Sequence, residues 1–136
     1  MGSHDQYGKK IMREAIMEEF AQSGPSVEID YGAGRPARID GTVANTIAVE
    51  IESRTSKQVR GAVLDLLCHP YAKKLLVLIP AHMNDPDTTA AQCTNIFTRY
   101  CARSDFRVVV LRGTGDKPDL ARDLAKVKSA VEELIA

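Results

Sequence analysis

Apolar residues recur with helical spacing over Lys9–Ala21, where Ile11, Met12, Ala15, Ile16 and Phe20 form one stripe, and Ser23-Gly24-Pro25 ends the pattern. Three strands are predicted next, over Val27–Tyr31, Ala37–Val43 and Thr46–Glu52, separated by Gly32-Ala33-Gly34-Arg35-Pro36 and a short turn at Ala44-Asn45. Such short connections imply an antiparallel meander. A second helix follows Ser53, capped by Thr55 or Ser56, with Val59, Ala62, Val63, Leu66 and Leu67 as its buried stripe and Pro70 forbidding its continuation. Leu75–Ile79 is an unbroken apolar run, as expected of a strand covered on both faces. A third helix capped by Thr88, a buried strand over Phe106–Leu111 and a fourth helix after Pro118 complete the chain. The order α-β-β-β-α-β-α-β-α predicts an α/β fold, a three-layer α/β/α sandwich around a central mixed sheet.

Within the third strand, alternation puts Ile47, Val49 and Ile51 on one face and Ala48, Glu50 and Glu52 on the other. The two glutamates are then roughly 7 Å apart along the strand. In the preceding strand Ala37, Ile39 and Val43 form the expected apolar set, leaving Arg38, Asp40 and Thr42 on the opposite face with Asp40 beside Glu50. Three carboxylates bunched in a central strand need compensation, and a hard divalent cation such as Mg²⁺ or Mn²⁺ supplies it, preferring one or two carboxylates plus phosphate oxygens. The competing account is an edge strand whose acids face water, paired with Arg38 and Arg54. Glu19 falls inside the apolar arc of the first helix, where it either joins this cluster or bends to water in a frayed last turn.

Composition sets bounds on this picture. The 136 residues, 44% hydrophobic and 26% charged, fit one ordinary domain. Residues 9–136 are read as that domain, and 1–8 as a disordered or tag-derived start, since Gly2-Ser3-His4 matches a tag-removal scar. No apolar run reaches bilayer length, so no membrane partner is expected. Three cysteines without a C-x-x-C pair argue against a disulfide framework or zinc ribbon and for a reducing, cytoplasmic setting. Equal counts of 18 basic and 18 acidic residues argue against indiscriminate attraction to polyanions. The charges are nonetheless segregated: residues 1–52 hold five basic and nine acidic side chains, whereas 53–83 hold five basic and one acidic. Gly113-Thr114-Gly115-Asp116-Lys117 lacks Walker A spacing, and the three histidines have no metal-ligand spacing.

The residues Arg38-Ile39-Asp40-Gly41, Val49-Glu50-Ile51-Glu52-Ser53 and Lys57-Gln58, together with the element order, resemble the PD-(D/E)XK nuclease superfamily and its restriction-endonuclease-like fold. That resemblance implies a metal-dependent nuclease acting on DNA, with Asp40 and Glu50 as metal ligands. It makes Glu19 similar to a first-helix glutamate that some members add, and Gln58 to the glutamine of RecB-like members. Two departures stand out: Ile39 replaces the motif proline, and Glu52 replaces the lysine that orients the attacking water. Glu52 is therefore expected as a further ligand or base, and Lys57 as the substitute ammonium. Arg38, Arg54, Lys57, Arg60, Lys73 and Lys74 are the expected contacts to the nucleic-acid backbone. With few residues outside the site elements, specificity would come from a homodimer or a partner protein. The alternative is a non-catalytic nucleic-acid-binding or assembly domain that keeps the nuclease fold, and beyond it an unrelated α/β domain with a solvated acidic strand.

Overall fold

A computed structural model of the protein describes residues 2–16 and 20–136. It shows a mixed α/β fold, four helices around a five-stranded sheet. The helices are α1 (Ser3–Ile16), α2 (Ser56–Cys68), α3 (Pro86–Tyr100) and α4 (Leu120–Ile135). The strands are β1 (Phe20–Ala21), β2 (Glu28–Ile29), β3 (Ala37–Arg38), β4 (Gly41–Val43), β5 (Ile47–Glu52), β6 (Lys73–Leu78) and β7 (Phe106–Val110). The main sheet runs β1-β4-β5-β6-β7, and β2 and β3 form a separate ribbon. β1, β4 and β5 pair antiparallel, while β5, β6 and β7 pair parallel through α2 and α3.

Strand alternation sorts the core into two layers. Ile47, Val49 and Ile51 of β5 and Leu75 and Val77 of β6 pack against Ile11 and Met12 of α1 and Val127, Val131 and Leu134 of α4. Ala48, Leu76 and Leu78 face the other way, against Val59, Val63 and Leu66 of α2 and Cys93 and Phe97 of α3. β5 and β6 are central, which is why their apolar residues are fully buried. β7 is the outer strand and not the buried one its composition suggests. Its outward carbonyls are occupied, that of Phe106 by the Arg107 guanidinium at 2.7 Å and that of Val110 by the Lys126 ammonium at 2.6 Å.

Several boundaries differ from the sequence pattern: α3 is capped by Asp85, which accepts the Thr88 N–H at 3.0 Å, and not by Thr88, and the expected strand 27–31 is reduced to Glu28–Ile29. Three more bear on the sheet. α1 begins at Ser3, so the stretch set aside at the start is helical, and Tyr7 joins the core. Phe20 and Ala21 are strand, paired with Val43 and Thr42, because there Phe20 closes the outer edge of the core instead of prolonging a helix. Gly41 lets this happen: a Cβ there would collide with the Phe20 ring and the Ala21 carbonyl. The expected strand 37–43 is broken at Ile39-Asp40. Ile39 donates its N–H to the Val27 carbonyl at 2.9 Å and buries its side chain on the α2 side, while Val43 is buried on the α1 side. The predicted apolar set of Ala37, Ile39 and Val43 is thereby split.

A buried polar hub fixes α1 on the sheet. Asp123, wholly inaccessible, accepts the Tyr7 hydroxyl at 2.6 Å and the backbone N–H groups of Arg112 and Gly113 at 2.7 and 2.9 Å. The Tyr7 oxygen in turn accepts the Asp119 N–H at 3.1 Å. Burial and the Asp123 carboxylate push the Tyr7 hydroxyl up to about 12, so it stays a donor at all ordinary pH. Replacing Tyr7→Phe leaves a buried carboxylate and one backbone donor short of a partner, and is expected to cost about 1–2 kcal/mol in urea unfolding. A variant as stable as the parent would show that the hub does not anchor the helix.

Candidate functional site

The break between β3 and β4 creates the most unusual chemistry in the molecule. By the antiparallel register, in which Gly41 faces Val49, Asp40 stands opposite Glu50. No main-chain ladder continues there; the side chains carry it. The Asp40 N–H donates to Glu50 Oε1 at 2.8 Å, and the Ile51 N–H donates to Asp40 Oδ2 at 2.7 Å. A buried Glu50 and a half-buried Asp40 are thus held together, each knitted to the other's strand.

They open into a cleft of about 470 Å³. α1 contributes Asp5 and Lys9 to it, β3 contributes Arg38, and Arg54 and Asp65 close it from the start and middle of the α2 region. Burial and the Asp40 charge push the Glu50 carboxyl up to about 9, so it carries a proton at neutral pH. Burial also raises Asp40, although the Ile51 N–H and the Lys9 ammonium pull it back toward ionisation. Glu52 behaves oppositely. Burial alone would raise it, but the Arg54 guanidinium at 2.6 and 2.9 Å and the Arg54 and Ser53 N–H groups at 2.9 and 3.0 Å hold it below its ordinary range.

The structure therefore brings Asp40, Glu50 and Glu52 into one cleft, on the strand face expected for the glutamates, but ties Glu52 to its own Arg54. Among the described residues no three His, Cys, Asp or Glu side chains converge as a metal-ligand set. What remains is a pair, Asp40 and Glu50. A pair of like-charged oxygens with a displaceable proton is the donor set that suits Mg²⁺ or Mn²⁺ completed by water or phosphate.

The other expected site residues are scattered. Glu19 lies outside the described residues. Gln58 accepts the Thr55 N–H and hydroxyl at 3.3 and 3.0 Å, which makes it part of the α2 cap. Lys57 is exposed on α2 and does not line the cleft. Arg60 faces the neighbouring groove between α2 and α3. Lys73 and Lys74 belong to the far end of the sheet: in the parallel register they sit beside Ile47 and Ala48, whereas Glu52 pairs with Leu78. The Lys73 ammonium is bound to the Leu134 carbonyl, and the buried Lys74 to the His69 carbonyl at 2.7 Å. They are removed from the list of backbone contacts, because β6 carries the chain across the sheet between them and the cleft.

Asp5, Lys9 and Asp65 were not foreseen. Asp5 and Lys9 have helical i, i+4 spacing, a signal hidden when the first eight residues are set aside. No family model, curated protein or solved structure matches the chain.

Between about pH 4.5 and 9 the folded protein retains a proton on Glu50 that the unfolded chain has released, so this group makes stability fall as pH rises through that window and then level off. The slope is at most about 1.4 kcal/mol per pH unit for one proton. Glu50→Gln removes this contribution. Urea midpoints at several pH values should therefore decline less steeply for the variant; parallel declines would show that Glu50 titrates normally.

Proposed function

We propose that the protein is a metal-dependent nuclease that hydrolyses phosphodiester bonds in DNA, built on a restriction-endonuclease-like variant of the mixed α/β sandwich. The observation that carries this reading is the Asp40–Glu50 pair, a buried and a half-buried carboxyl locked side by side in a cleft that also holds Lys9, Arg38 and Arg54. A structural pair alone would not require an accessible cleft in which three cations, Lys9, Arg38 and Arg54, stand among the acids.

Asp40 and Glu50 would hold Mg²⁺ or Mn²⁺, with Glu50 surrendering its proton on binding. Such an ion, when held there, would favour deprotonation of the attacking water and neutralise charge at the phosphate. The chain's own residues do the rest. Lys9 presents an ammonium at the place where Asp40 feels its charge, and thus supplies the cation that Glu52 displaces from the motif. Glu52 holds the Arg54 guanidinium in a fixed orientation on the cleft wall. Arg38, which reaches the Gln22 carbonyl at 3.4 Å, stands on another wall as a phosphate contact.

A second reading has its own observation. The oxygens of Glu52 are committed to Arg54 and to backbone N–H groups, so a nucleic-acid-binding or assembly domain without hydrolytic activity would look the same at that position. In the nuclease reading DNA is the partner, and a homodimer or a partner protein would supply sequence specificity.

With Mg²⁺ or Mn²⁺ the protein is expected to cleave plasmid or single-stranded DNA, and Asp40→Asn or Glu50→Gln to reduce the rate by about 100-fold or more, the scale of losing a metal-positioning group. Metal-dependent thermal stabilisation without cleavage would favour the second reading, and no response to metal in either assay would refute both. Metal affinity should also rise from pH 6 to 9, because the metal must displace the Glu50 proton. Glu50→Gln should abolish that rise.

A further inference from the structure

The face of α2 turned away from the carboxylate cleft borders a second depression, of about 360 Å³, between α2 and α3. Its chemistry is the reverse of its neighbour's. Arg60 of α2 and Arg99 of α3 line it, and no acidic residue does. Among the described residues neither arginine forms an ion pair, although the chain as a whole is neutral. Two unpaired guanidinium groups on separate helices, with no carboxylate between them, make a local excess of positive charge that an anion would satisfy.

The rest of the groove narrows the kind of anion. Val59 and Val63 lie buried beneath it, with Ile96 part-exposed, and its α3 wall offers the exposed side-chain amides of Gln92 and Asn95. The amides suit the hydrogen-bonding edges of an unpaired base, and the arginine planes suit its face or its phosphates. The bases of a duplex are stacked inside it and would present only backbone to this groove, whereas an unpaired strand presents both.

Position then supplies length and direction. The hydroxyls of Ser56 and Thr89 meet at 2.7 Å at one end of the groove, two residues after Arg54 leaves the cleft. From Thr89 to Arg99, α3 rises roughly 15 Å at 1.5 Å per residue. That distance accommodates about four stacked nucleotides at 3.4 Å each. We propose that the groove between α2 and α3 is a track for single-stranded DNA, in which Arg60 and Arg99 bind phosphates and the strand is led past Arg54 to the carboxylate pair. The inference rests on the nuclease reading and names the form of its substrate.

The test is fluorescence anisotropy of a labelled oligothymidylate with the full chain in EDTA, where binding is read without hydrolysis. The parent should bind, and the double variant Arg60→Glu, Arg99→Glu should bind at least tenfold more weakly. Both side chains are exposed, and thermal unfolding checks that the variant stays folded. Charge-neutral replacement, Arg60→Gln with Arg99→Gln, should reduce the slope of log affinity against log salt by about 1.4, from about 0.7 for each of two phosphates. No binding by the parent, equal binding by parent and Glu variant, or an unchanged slope would each overturn the track. Tighter binding of duplex, or competition by a mononucleotide or by oligoglutamate at equal concentration of charge, would overturn the single-strand assignment. Arginine-dependent binding by a protein that cleaves nothing with metal would refute the nuclease reading alone, and cleavage with arginine-independent binding would refute the track alone.

Discussion

Asp40 and Glu50 exchange hydrogen bonds with one another's strands at the point where β3 and β4 part, and most of what distinguishes this molecule follows from that exchange. Ile39 must leave the main sheet to follow Val27, so the backbone pairing that would continue β4 stops. A buried N–H without an acceptor is costly, and the two carboxylates supply the missing acceptors. The same contacts keep two acids close together and largely out of water, which holds a proton on Glu50 at neutral pH. The fork in the strand and the chemistry at its tip are one feature.

The remaining architecture serves to place charges around that pair. Tyr7, pinned by Asp123, fixes α1 and so presents Asp5 and Lys9 to the cleft. The Thr55–Gln58 cap sets the first turn of α2, after which Asp65 points to the cleft side and Arg60 to the groove side of the same helix. A chain of zero net charge therefore shows two adjoining surfaces of different character, an acid-rich cleft and an arginine groove.

Much of this could be read from the residues. The alternation in 47–52 assigned Glu50 and Glu52 to one face, and the apolar run at 75–79 marked the central strand, because burial on one or both faces leaves a direct periodic trace. Pro70 and Thr55 marked the ends of α2 by local sterics and capping. The fate of Glu52 could not be read: whether a glutamate faces a metal or folds back onto the arginine two residues later depends on the turn between β5 and α2. Lys73 and Lys74, close to the site in sequence, lie at the other end of the sheet because α2 returns the chain to the start of a parallel strand. Asp5 and Lys9 reach the cleft from far away in the chain: their i, i+4 spacing puts them on one helix face, but only the packing of α1 brings that face to the carboxylates.

The sequence by itself determined the class of fold, the identity of the central strands and the placing of three acids near one another, since each follows from periodicity and from short-range steric rules. Only the tertiary structure decided which two of those acids form a pair, which cations stand beside them, and that α2 divides an acidic cleft from a basic groove. Those outcomes depend on register and on contacts between residues distant in the chain, which local patterns do not encode.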